Sequence, residues 1–101
     1  MTAKLKKLKA FDPAGYLDDP EAISAYLEEA FDTGDAKFIA DAMGVVARAS
    51  GMSEIAKASG LSRESLYKAL SANGNPELTT VLRVIAALGM KLSVEPQKHS
   101  D

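Results

Sequence analysis

The side chains of this 101-residue chain that are capable of covalent, acid–base or metal chemistry are few and ungrouped. His99 is the single histidine and has no carboxylate at a defined spacing, so it reads as a solvent-facing tail residue. Asp18 and Asp19 are adjacent, but they stand directly before Pro20. Carboxylates there cap a helix and favour its dipole, and they need no acid/base role. With no cysteine there is no disulfide framework, thiolate zinc site or thiol nucleophile, and a reducing cytoplasm is the natural setting. Met43, Met52 and Met90 fall at apolar positions and read as core filler rather than a ligand set. No glycine-rich phosphate loop is present. The expectation is a protein with no catalytic residue, no metal ligand and no cofactor, whose chemistry is recognition.

Recognition chemistry concentrates between Met52 and Ser71, MSEIAKASGLSRESLYKALS, where Ala56, Gly60 and Leu66 have the spacing of a helix-turn-helix. A small residue at 56 lets a second helix cross closely over the first. Gly60 supplies the left-handed backbone of a tight turn, and Ile55, Leu61, Leu66 and Leu70 bury the inner faces. That leaves Ser62, Arg63, Glu64, Tyr67 and Lys68 on the open side of the second helix, where side chains reach base edges when such a helix enters a major groove. An ordinary helical hairpin has the same spacing, and Tyr67 could stack on a base or simply cover the core. Charge is meagre for a DNA binder: Lys57, Arg63 and Lys68 against Glu54 and Glu64 leave +1 over residues 53–71. Phosphate neutralisation supplies most non-specific affinity, so two copies are expected to bind together as a homodimer.

The elements that would hold this set follow from caps and apolar stripes. Asp19 and Pro20 open a first helix with Ile23, Tyr26, Leu27, Ala30 and Phe31 on one face, closed by Gly34. Asp35 caps a second, with Ile39, Ala42, Met43 and Val46 as its stripe, Phe38 beside it, and Gly51 at its end. Ser53 is expected to cap a short third helix stopped by Gly60. Ser62 caps the fourth, with Leu61 and Leu66 placed as a hydrophobic staple. Asn75 and Pro76 are expected to start the fifth, whose stripe is Leu78, Val81, Leu82, Ile85 and Leu88. Met90, Leu92 and Val94 then alternate with Lys91, Ser93 and Glu95, the pattern of a short strand, pairing either within the chain or with a twofold mate. The expected organisation is an arm over 1–19, a helix-turn-helix domain with an acidic first helix over 20–96, and a disordered tail over 97–101. No run is long and apolar enough to span a membrane.

The net charge of −2 conceals a strong asymmetry. Residues 1–10 carry four lysines and no acid, residues 11–35 carry eight acids and no Lys or Arg, and residues 36–101 sum to +2. An acidic surface repels phosphates and attracts basic protein, although a solvated acidic helix face alone produces the same run.

From Phe11 to Val94 the chain resembles the probable addiction-module antidote proteins, small antitoxins with a phage-repressor-like helix-turn-helix encoded beside a RelE/ParE-like toxin. The resemblance is carried by YLDDPEAI, SRESLYKAL and GNPELTTVLRVIAALG, in that order and at the family's spacing. It implies an all-α, five-helix repressor-like helix-turn-helix fold, here with a short C-terminal β-strand. It also implies two partners, a cognate toxin and operator double-stranded DNA, the latter read by Ser62, Arg63, Glu64, Tyr67 and Lys68. An RNA-directed toxin of the resembled kind must itself be basic. The acidic block, with Phe11, Tyr16 and Leu17 as anchors too isolated to form a core, is therefore the expected toxin-binding surface. A stand-alone phage-like repressor, or a toxin binder whose helix-turn-helix is only a scaffold, are the alternatives.

Overall fold

The computed structural model describes residues 19–97. The 1–18 arm, with Phe11, Tyr16 and Leu17, lies outside the described residues, as does the tail after Gln97. The described chain is all-helical, with α1 Pro20–Asp32, α2 Ala36–Ser50, α3 Met52–Ser59, α4 Arg63–Ala69 and α5 Leu78–Ala87.

Three helix starts are written by local hydrogen bonds. The Asp19 carboxylate accepts from the Ala22 N–H at 2.8 Å, with Pro20 in the first turn. Asp35 accepts from the amides of Lys37 and Phe38 at 3.0 and 3.3 Å. The Ser62 hydroxyl oxygen accepts from the Ser65 N–H at 3.0 Å. Each satisfies amides that a helix cannot pair internally, which makes the boundary a property of a few neighbouring residues.

Two expected starts are corrected. Ser53 is not the cap of α3: Gly51 ends α2 and begins α3 with nothing between them, so Ser53 already lies inside the first turn. α5 starts at Leu78 behind Glu77 rather than at Pro76. The connection must first cross the end of α4, where Gly74 approaches so closely that a Cβ would collide with the Ala69 carbonyl. Asn75 and Pro76 are used up in that crossing.

The core runs through all five helices. Leu27 and Ala30 of α1 lie against α2, which contributes Ala42, Met43, Val46 and Ala47. Met52, Ile55 and Ala56 of α3 pack between α2, α4 and α5, and Leu66, Leu70, Val84 and Ile85 complete the cluster. The α5 stripe is rotated from its expected position: Val84 and Ile85 are buried, whereas Leu78 and Leu82 are 68% and 47% exposed. In LTTVLRVIAA apolar residues occur on too many sides to choose a single face, and packing on α3 made the choice. Phe38 is likewise exposed.

The expected strand over 90–94 is absent among the described residues. Met90 packs against the core and its N–H donates to the Ile85 carbonyl at 3.0 Å. Residues 91–97 then run exposed, because no second strand exists in the described chain for them to pair with.

Candidate nucleic-acid interface

The turn between α3 and α4 is fixed by convergence on one carbonyl. The oxygen of Ala56 accepts from the Gly60 and Leu61 amides at 2.9 and 3.2 Å and from the Ser59 hydroxyl at 3.2 Å. Gly60 adopts φ 78°, ψ 15°, the left-handed region that a residue with a Cβ enters only under strain. Ser59 is the one buried polar side chain among the described residues, and its hydroxyl also accepts from the Leu61 N–H at 3.3 Å. Helix-turn-helix spacing does not single out Ser59; its signal in the sequence is a small hydroxyl residue directly before the turn glycine.

On the far side of the turn, both positions of the expected staple face inward. Leu61 packs at the core edge and Leu66 is fully buried. Ile55, Ala56 and Leu70 are buried with them, so the inner face of the pair is spent on the core. Ser62, Arg63, Glu64, Tyr67 and Lys68 are all exposed and share the open side of α4. The Arg63 guanidinium carbon stands 6.0 Å from the centroid of the Tyr67 ring, at the outer reach of a cation–π contact. The Ser62 and Ser65 hydroxyls are 2.9 Å apart.

Two further residues shape this surface and were not legible from spacing. Gly44, buried in α2, faces the end of α4, where a Cβ would collide with the Leu70 carbonyl oxygen. Only a glycine lets the two backbones meet there, so Gly44 sets how α4 sits on the scaffold. Arg83 of α5 brings its guanidinium over the turn, 3.6 Å from where a Cβ on Gly60 would stand. It adds a cation beside the N-terminal end of α4 that no local pattern announces.

Among the described residues no group of His, Cys, Asp or Glu could hold a metal. Tyr26, on α1, holds its phenol proton more tightly than usual. Burial and the nearby Asp41 raise its pKa, and Arg48 acts in the opposite direction.

A family model described as probable addiction module antidote protein matches residues 7–96. The chain belongs to that family. A relative from Haemophilus influenzae, described as an uncharacterized protein, is 43% identical over 95 residues, covering 94% of this antidote-family chain and 98% of the relative. No solved structure matches this chain. The antidote-family match spans α1 through α5, so the acidic helix and the α3–α4 pair both fall within it. Among the described residues no helix is long and apolar enough to cross a membrane.

Proposed function

We propose that this chain is the antitoxin of a toxin–antitoxin module, binding a cognate toxin directly and repressing its own operon by reading double-stranded DNA through α4. The observation that carries the reading is the sorting of side chains on the α3–α4 pair. Leu61, Leu66 and Leu70 hold α4 to the core, while Ser62, Arg63, Glu64, Tyr67 and Lys68 stand free on its open side. That sorting supports a helix-turn-helix whose second helix enters a major groove. Arg63 suits the two acceptors of a guanine edge, and Arg83 over the turn suits a flanking phosphate. A homodimer would present two such helices to half-sites about 34 Å apart, and the cytoplasm is where both partners would be met.

Toxin binding is assigned to the acidic first helix together with Phe11, Tyr16 and Leu17 of the arm. Glu21, Glu28, Glu29 and Asp32 are all exposed, so the acidic face of α1 is available to a basic toxin of the RelE/ParE-like kind. A second reading keeps the toxin and drops the DNA. The +1 balance over residues 53–71 favours it, and in that case α3 and α4 serve only as scaffold.

The test is a gel shift with the DNA upstream of the operon, beside a pull-down of the neighbouring toxin. Arg63→Ala with Lys68→Ala is expected to abolish the shift while leaving toxin capture intact. Phe11→Ala, Tyr16→Ala and Leu17→Ala together are expected to do the reverse. Unchanged DNA affinity in the first variant removes α4 from the reading surface. Full toxin capture by the second moves that interface off the arm.

A further inference from the structure

The segment after Leu88 has the alternation of a strand but no strand beside it. Residues 91–97 make no backbone hydrogen bond to another described residue, and Val94 is 99% exposed. In an extended conformation Leu92 and Val94 share one side while Lys91, Ser93 and Glu95 share the other. An unpaired edge bearing apolar side chains is a template for another strand. The segment and α1 together bound a groove of about 490 Å³ with Leu27, Phe31 and Ile85 on its walls. In an adjoining hollow Glu28, Asp32 and Glu95 come together, and among the described residues no Lys or Arg lines it.

We propose that residues 91–95 are the dimer seam, pairing antiparallel with the same residues of a second copy about a twofold axis through Ser93. The sequence selects both the occupant and the register. With the axis at Ser93, Lys91 lies opposite Glu95 and Leu92 opposite Val94, and each pair occurs twice by symmetry. Pro96, which has no N–H to give, falls just beyond the ladder and ends it. Moving the axis to Leu92 sets Lys91 against Ser93, and moving it to Val94 sets Leu92 against Pro96, so the charge match is lost either way. The same register also delivers the lysine at 91 of the mate to Glu95, beside Glu28 and Asp32, a hollow whose described charged residues are all acids. Leu92 and Val94 fall on the other face of the paired ribbon, where each covers its counterpart from the mate and is drawn out of the water that now surrounds Val94. This proposal deepens the homodimer of the DNA reading by naming its seam, and its readout is self-association, which requires no DNA.

Sedimentation of the full chain tests it. Wild type is expected to dimerise, and Lys91→Glu or Glu95→Lys alone is expected to weaken self-association by about tenfold or more, since both symmetric pairs become like-charged. Mixing the two variants is expected to restore a 1:1 dimer, because every cross-strand pair in the mixture is again of opposite sign. The chain has no cysteine, so Ser93→Cys offers a second readout. Directly opposed residues have Cα atoms about 4.5–5.5 Å apart, within disulfide reach, and this variant is expected to cross-link under air. Ser53→Cys, exposed on α3, is expected not to. A chain that stays monomeric to millimolar concentration overturns the proposal. So does a dimer indifferent to both charge reversals, or equal cross-linking by the two cysteine variants. Loss of capture of the toxin without loss of self-association would instead give the edge to that partner and equally overturn it.

Discussion

Replacing Gly44 by alanine sets two opposed effects against each other, and the structure says which prevails. Alanine is the better helix former, by about 1 kcal/mol in a helix interior. Against that gain, the added Cβ at this buried position collides with the Leu70 carbonyl oxygen and lies 3.1 Å from its carbonyl carbon. The obstacle is backbone at the end of α4, not the far end of a flexible side chain, so α2 and α4 must move apart. Such overpacking typically costs about 1–3 kcal/mol and sometimes more, and the separation also loosens Leu66 and Leu70, both fully buried. Because the clash is with backbone that cannot rotate aside, the cost falls at about 2–3 kcal/mol, which leaves a net loss of about 1–2 kcal/mol, or a melting temperature lower by roughly 4–16 °C for a domain of this size. Circular dichroism melts measure it, with Gly34→Ala as comparison: nothing lies within 4 Å of a Cβ there, and only the φ of 68° resists it. Because α4 carries the proposed reading surface, DNA affinity should fall with the tilt even well below the melting temperature. A Gly44→Ala protein as stable as wild type, or more so, would mean that helix propensity wins and that α2 and α4 do not meet as closely as described.

Gly60→Val places a β-branched residue at φ 78° and is expected to lower stability by about 1–3 kcal/mol, read as a shifted urea midpoint with unchanged slope. The nearest atom to the new Cβ is at ordinary contact distance, so the strain lies in the backbone, and an unshifted midpoint would refute the left-handed turn. Ser62→Ala removes the hydroxyl that accepts from the Ser65 amide and should cost about 1 kcal/mol, whereas Ser62→Asp should retain the cap and most of the stability. The Tyr26 hydroxyl has its pKa raised by burial and by Asp41 above the ordinary value of about 10. The folded state therefore holds that proton more tightly than the unfolded one. Its contribution is complete below about pH 10 and is lost as pH climbs towards the raised folded value. Tyr26→Phe should accordingly show a shallower decline of melting temperature above pH 10 than wild type, and parallel declines would contradict the assignment.

Helix boundaries were legible in the sequence wherever a cap is a bond between near neighbours. Asp19 with Pro20, Asp35, and Ser62 opened their helices as written, and Gly60 closed α3 in the left-handed conformation its position required. The exposed set from Ser62 to Lys68 was legible for the same reason: one staple and one turn fix which way a seven-residue helix can face. Other features depended on distant residues. LTTVLRVIAA offers several apolar faces, and α3 decided that Val84 and Ile85 go inward while Leu78 and Leu82 remain outside. Gly44 looked like a weak spot in a helix until Leu70, 26 positions later, came to rest on it. Arg83 reached the turn only through the packing of α5 on α3. The alternation from Met90 to Glu95 was real, yet a strand is a relation between two segments, and the described chain contains only one. Sequence fixes what a residue does to its neighbours within a turn or two; burial, close approach and pairing are decided by which surfaces meet.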